Sequence, residues 1–389
     1  MKKYFIIAVA AVVAMAACSK VDANLDNAPG QKVTFQAANY SAATKAGEVS
    51  VLNDFEAFKC KAYLHAEGID LNADGTVNGT SFQNFFGTNG ETISVDDADN
   101  PTEWAPSHTY YWPKGTKSFV NFIGWYGKDG SGAESTPTIT YAYDGTASKY
   151  KATLVWNYTS VAGNSTSNLL YADMAWRFKQ NNNPATYGVS GASEGVPMLF
   201  HHALAQINVK VYADGTSLTA GTGNVSDANA TWTIALESPA ITTVYNAGTL
   251  TLTNEDPGTA ATTKPWTGSW AGTGEKGNIA ASNLNVDKIA KASANTLFNA
   301  TCVVPQTIGA DVLLTFNMRI TTTYNTDPAN PNVELIPVSI KLNDMGTTAW
   351  ALNTKYTYYL KIVPSQSVVL FDPALEDDWS EVEGTEQTI

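Results

Sequence analysis

Alternation with a period of two runs through this chain. Between Asp311 and Thr321, Val312, Leu314, Phe316, Met318 and Ile320 fall on one face; Asp311, Thr315, Asn317, Arg319 and Thr321 fall on the other, with Leu313 the exception. Ala205, Ile207, Val209 and Val211 alternate with Gln206, Asn208 and Lys210. Tyr356, Tyr358, Leu360 and Ile362 alternate with Thr357, Tyr359 and Lys361, and Trp232, Ile234 and Leu236 repeat the pattern. Successive side chains of a strand point to opposite faces, so each segment predicts a strand with one dry and one wet face, as in an antiparallel sandwich. Ser118–Tyr126 (SFVNFIGWY) is apolar on both faces and predicts a central strand. Lys32–Ala37 (KVTFQA) predicts a short early strand. Helix is scarce, with only Asn285–Asn295 reading as a short one and Asp287 in its first turn. Loops rich in Gly, Asn and Asp separate the strands. One of them, NNNPATYGVSGASEG at 181–195, marks a boundary between two sandwiches, 46–195 and 196–389.

The N-terminus changes the picture. Lys2 and Lys3 precede fourteen uncharged residues, Tyr4–Ala17. A charged start, a short apolar stretch and small residues at its end make a secretory signal, here residues 1–17. The stretch is shorter than the ~20 apolar residues that span a bilayer. It ends in Met15-Ala16-Ala17-Cys18, which resembles the lipobox of bacterial lipoproteins, so Cys18 is the expected lipidation site. A polar tether, Ser19–Gly30, follows; Ala38–Gly47, small residues around Lys45, reads as a protease-accessible linker. The chain is expected to fold outside the cytoplasm, as an outer-membrane lipoprotein at the cell surface.

Composition agrees. The 389 residues suit two domains, and a charged fraction of 15% favours a β-rich extracellular protein. The net charge of −13 repels nucleic acid, which is excluded as a partner. Cys60 and Cys302 lie far apart in the sequence and are expected as two separate buried thiols. Neither has the paired spacing of a zinc site.

Few motifs suggest chemistry. Gly191-Ala192-Ser193-Glu194-Gly195 matches the nucleophile elbow of serine hydrolases, but a polar loop precedes it and a strand-like run, Val196–Phe200, follows where a helix is needed. Asp70-Leu71-Asn72-Ala73-Asp74-Gly75 matches the first half of a calcium loop, with Asp70, Asn72 and Asp74 as oxygen ligands. Position twelve is Ser81 rather than a bidentate Glu, so a hairpin turn is the competing reading. Asp96, Asp97 and Asp99 read as a solvated loop. His201 and His202 are adjacent, so on a strand they face opposite ways and do not share a metal. Trp266 and Trp270, in a Thr/Gly-rich loop, are placed either to stack on sugar rings or to pack on their own sandwich. No catalytic residues and no cofactor are expected, and the chain reads as a non-enzyme.

Several segments carry a resemblance as an ordered set. They are Tyr110-Tyr111-Trp112-Pro113 before the strand Phe119–Tyr126, then Asn168-Leu169-Leu170-Tyr171-Ala172, then Phe200-His201-His202-Ala203-Leu204-Ala205-Gln206-Ile207. Val304-Pro305-Gln306-Thr307 follows, then Trp350, Thr354–Tyr358, Phe371-Asp372-Pro373 and Trp379. Over most of residues 100–380 the chain resembles the fimbrillin family of Bacteroidales-type organisms. The resemblance implies an all-β fold of two transthyretin-like antiparallel β-sandwich domains in tandem. It also implies a fimbrial (pilus) subunit that serves cell adhesion, exported as a lipoprotein precursor and assembled with other pilin subunits by strand addition. The matching parts are residues 18–45 as the lipidated tether and removable strand, with Val33, Thr34, Phe35, Gln36 and Ala37 as the strand and a cut between Lys45 and Ala46. Val368, Val369, Leu370 and Phe371 match the donor strand. A host or bacterial surface ligand is a further implied partner. A surface glycan-binding lipoprotein, resting on Trp266 and Trp270, is the alternative.

Overall fold

A computed structural model describes residues 32–39, 50–51, 57–66, 82–95, 104–113, 118–129, 131–146, 149–160, 168–179, 195–219, 223–258 and 261–378. The early strands are β1 Phe35–Asn39, β2 Ser50–Val51, β3 Ala57–Ala66, β4 Phe82–Asn84, β5 Glu91–Val95, β6 Trp104–Pro106 and β7 Ser118–Lys128. Next come β8 Thr138–Asp144, β9 Lys149–Thr159, β10 Asn168–Ala172, β11 Met174–Phe178, β12 Val196–His202, β13 Ala205–Ala213, β14 Ser217–Thr219 and β15 Asn224–Ser226. They are followed by β16 Ala230–Glu255, β17 Thr262–Lys264, β18 Thr267–Ala280, β19 Leu284–Asn285, β20 Asn295–Val303 and β21 Gln306–Thr307. The last are β22 Leu313–Tyr324, β23 Asp327–Lys341, β24 Ala349–Trp350, β25 Thr354–Val363 and β26 Val368–Asp378. The described residues hold no α-helix and three short 3-10 turns, Lys291–Ser293, Leu342–Met345 and Pro364–Gln366.

The first sheet closes on itself. Its order runs β7-β10-β12-β1-β6-β5-β3, and β3 pairs back onto β7 from Lys59↔Trp125 to Ala66↔Ser118. Closure removes the free edges that an open sheet would expose. Inside the ring lies a core of Val33, Phe35, Phe58, Trp104, Val120, Phe122, Leu170, Met198 and Phe200. The ring's outer face carries Tyr63, Ile123, Trp125 and Leu169, with Met174 and Trp176 of β11 beside β7, and is covered by β8, β9 and the second half of β16. β7 is therefore buried on both faces, as its sequence predicts.

A second core fills the C-terminal half. The sheet β20-β13-β25-β26 faces β16, β22 and β23, and the alternating apolar residues of β13, β22 and β25 meet between them. β16 serves both halves: Trp232, Ile234 and Leu236 sit in this core, while Leu250 and Leu252 pack under the ring. Ser238 and Thr243 take positive φ of 52° and 62° midway, where register shifts bend the strand.

Three expectations need correcting. Not every pairing is antiparallel, because β1 runs parallel to β12 and β13 parallel to β25. The helix at 285–295 does not form: Asp287 accepts from Asn295 Nδ2 at 2.7 Å instead of capping a turn, and Val286 is buried in the core. The Thr/Gly-rich stretch around Trp270 is the strand β18, paired with β16 from Ala240↔Ala280 to Thr253↔Thr267. The expected division at 195/196 falls just before β12, which pairs with β1 and β10 of the first sheet.

Candidate functional site

β1 is a stave of the closed ring. On one side it pairs with β12 from Phe35↔Val196 to Asn39↔Phe200; on the other it meets β2 at Ala38↔Val51 and β6 at Phe35↔Trp104. Two bonds extend this pairing before the strand begins, Val33 N–H to Tyr110 O and Val196 N–H to Thr34 O, at 2.9 and 2.8 Å. Alternation decides what points inward. Val33 and Phe35 are 1% and 0% exposed, and the Phe35 ring meets Phe122 edge-on at 5.4 Å and Phe58 at 6.0 Å. Such edge-to-face pairs add to the energy of burial. The expected strand at 33–37 is thus shifted to 35–39, with Val33 seated ahead of it.

Gly195 lets this strand fit. A Cβ there would lie 2.7 Å from the carbonyl carbon of Phe35, a distance that real Cβ atoms do not adopt. The other flank is held by Glu91. Its carboxylate accepts from the Ser107 hydroxyl and from Tyr110 OH at 2.7 Å, and His108 Nδ1 lies 3.1 Å away. Burial pushes the Glu91 pKa up, but the hydrogen bonds from Ser107, Tyr110 and His108 outweigh it and hold the carboxyl below the usual range. The Tyr110 carbonyl that receives Val33 N–H is fixed through this cluster.

The C-terminal strand is held differently. β26 is the last strand of its sheet and pairs only with β25, Leu360↔Phe371 and Ile362↔Val369. Val369 and Phe371 therefore face the same side as the buried Leu360 and Ile362, yet Phe371 is 44% exposed. A groove of about 480 Å³ runs between β26 and the free edge of β23, lined by Val338, Ile340, Val369 and Phe371 among others. Ser367 donates to Glu334 at 2.7 Å and ties the two edges together. Pro328, Pro331 and Pro337 interrupt β23, a device that discourages uncontrolled pairing at an edge.

Other residues singled out by sequence are structural. Trp266 is 8% exposed and its indole N–H donates to Ala172 O at 2.8 Å; Trp270 donates to Ala203 O. Both are pinned down onto the ring. His202 is buried, and desolvation followed by the neighbouring His201 lowers its pKa to about 3. His201 faces the other way, 2.9 Å from Asp173 and stacked on Tyr171. Cys60 and Cys302 are buried free thiols; burial drives both pKa values up, to about 12 for Cys302. Cys18, Lys45, Ala46, Asp70, Asn72 and Asp74 lie outside the described residues.

The fold and site define an all-β protein in which an N-terminal strand is plugged into a closed ring and a C-terminal strand lies at an open edge. A family model described as fimbrillin-like matches residues 66–379, and the chain belongs to that family. Among solved structures, a fimbrial protein from Bacteroides vulgatus is similar, at 16% identity and a TM-score of 0.51 over 90% of this chain and 100% of that one. A protein from Bacteroides uniformis provisionally assigned to cell adhesion is 16% identical, with a TM-score of 0.43 over 90% of this chain and 98% of its own. At such identities the likeness is one of fold. No curated protein matches the chain.

Proposed function

We propose that this chain is a structural subunit of a surface fimbria and not an enzyme. It is exported as a precursor, lipidated at Cys18 and carried to the outer membrane. A protease cuts between Lys45 and Ala46, and the segment Val33–Ala37 leaves its place in the ring. The strand Val368–Phe371 of another subunit then fills the vacancy, and repetition builds the fimbria. The finer reading adds two tandem sandwiches, one around the ring core and one around the C-terminal core.

One observation carries the proposal. β1 is buried between neighbours on both edges, yet the chain joining it to the rest runs through the Lys45 linker. Its departure uncovers backbone donors and acceptors on β12 together with the apolar sites of Val33 and Phe35. Filling the slot with an extended segment relieves both costs, which is strand addition in its general form. The glycan-binding alternative loses its support, because Trp266 and Trp270 present their indoles to the protein itself.

The test compares the full precursor with a chain starting at Ala46. The shortened chain is expected to form SDS-resistant multimers on electrophoresis while the precursor stays monomeric. A shortened chain that remains monomeric at every concentration contradicts the proposal.

A further inference from the structure

The layer that covers the ring is a sheet in the order β8-β9-β16-β18, with every neighbour antiparallel. Among the described residues its two outer strands have main-chain partners on one side only, because β8 pairs with β9 alone and β18 with β16 alone. Free edges invite pairing with another chain, and proteins usually blunt them with proline, charge or brevity. Elsewhere in the molecule those devices are in place. β23 holds Pro328, Pro331 and Pro337, β26 holds Pro373 among acidic residues, and β4, β14 and β17 are each 3 residues long. The sheet over the ring lacks them. β8 spans 7 residues, TITYAYD, with no proline and a single charge, Asp144. β18 keeps an unbroken register from Thr253↔Thr267 to Ala247↔Thr273, and that run, TGSWAGT, has neither proline nor charge. Thr138, Thr140 and Ala142 are exposed, as are residues 267–269 and 271–273.

We infer that these two edges pair between copies of this chain, β8 of one against β18 of the next, and join their sheets side by side. This contact needs no strand exchange. A second copy fits the edge in direction, because strands that alternate in the order β8-β9-β16-β18 leave β8 of an added copy antiparallel to β18. It fits in face as well. Ile139, Tyr141 and Tyr143 pack toward the ring, as Trp270 does, so a register with Tyr141 opposite Trp270 keeps ringward side chains on the ringward face. That register overlaps the two runs completely, from Thr138 opposite Thr273 to Asp144 opposite Thr267, and sets Tyr143 beside Gly268, which has no side chain to obstruct it. Charge permits the contact. Copies of net charge −13 repel one another, but these edges bring only Asp144 to the junction. Twist permits it too. At a strand spacing of about 4.8 Å the copies repeat every ~19 Å. A twist of about 20–25° per strand turns each copy by roughly 90° from the last, which swings neighbouring rings apart. The contact is head-to-tail with a translation along its own axis, so it builds an open series rather than a ring.

Edge pairing of this kind comes apart in SDS, so the contact is captured by crosslinking on intact cells. In the full chain, expressed in a Bacteroides host, Thr140→Cys together with Ala271→Cys places two exposed thiols opposite each other in this register. Within one copy the same positions lie three strands apart. That separation is about 14 Å or more, beyond the ~7 Å between Cα atoms that a disulfide bridges. A mild oxidant is expected to give a ladder of dimers, trimers and longer species on non-reducing electrophoresis that collapses with reductant. Multimers made by strand exchange survive reductant and are told apart in that way. Each single variant is expected to give roughly ten-fold less reductant-sensitive product, since its thiol has no partner within disulfide reach. Ala142→Cys with Ser269→Cys, also exposed and opposite in this register, repeats the test if the first pair disturbs folding. An equal ladder from Thr140→Cys with Thr267→Cys overturns the register. Dimers from Ala271→Cys alone, with no ladder from the pairs, overturn the contact in favour of β18 meeting β18. No reductant-sensitive product from either pair, with the chain present at the surface, overturns it outright.

Discussion

Phe35 shows how much one side chain contributes. It is fully buried among Phe58, Phe86 and Phe122, and replacing a buried phenylalanine by alanine costs about 3–5 kcal/mol. Phe35→Ala is therefore expected to loosen β1 selectively, seen as faster proteolysis around residues 32–39 with the C-terminal core still melting at its own temperature. Gly195→Ala acts on the same contact from the other side. Its new Cβ would meet the Phe35 backbone at 2.7–2.9 Å. We expect it to impair seating of the precursor's own strand and of any replacement, so that multimer yield falls along with precursor stability. Glu91 gives a pH dependence with a definite sign. Its carboxyl lies below the usual range when folded, so its contribution is present at neutral pH and is lost as pH falls through the folded value. Denaturant titrations between pH 7 and pH 3 should show that loss, and Glu91→Gln should flatten it.

The strands differ in how many neighbours hold them. β7 is hydrogen-bonded on both edges and buried on both faces, whereas β26 has one neighbour and half-exposed side chains. Amide exchange in the full chain should therefore be fastest in β26 and slowest in β7, with β1 between; a β26 protected as well as β7 would contradict the proposal that this strand transfers. Much of this was legible in sequence. The alternations at 205–211, 232–236, 311–321 and 356–362 became β13, β16, β22 and β25, because a one-sided core imposes period two wherever a strand covers it. KVTFQA was legible for the same reason, since Val33 and Phe35 share a face. The slot they occupy was not, because it is assembled from β12, β6 and the Tyr110 segment, which lie far away along the chain. The parallel pairings were likewise invisible. β23 is masked in the sequence by its three prolines, which an edge strand tolerates, and β18 by glycines that lie on an exposed face. Asn285–Asn295 misled because a short window of mixed residues fits a helix as well as a loop whose polar groups bond each other.

At the scale of the molecule, the long strand β16 runs from the C-terminal core into the layer that covers the outside of the ring. Cys60 belongs to the ring core and Cys302 to the layer outside it, so the two thiols have no route to each other. A chain starting at Ala46 should show two free thiols that react with a maleimide only after unfolding. The arrangement places the ring and its plug in one half, and the free edge with its exposed apolar cluster in the other. In the proposed exchange such a subunit receives at one site and donates from another, a head-to-tail contact that builds an open filament when its rotation does not close a ring. The most direct test is a density map of the assembled fimbria at side-chain resolution. The account expects the place of β1 in each subunit to hold the C-terminal strand of a neighbouring subunit. A map in which each slot still holds its own Phe35 would contradict it.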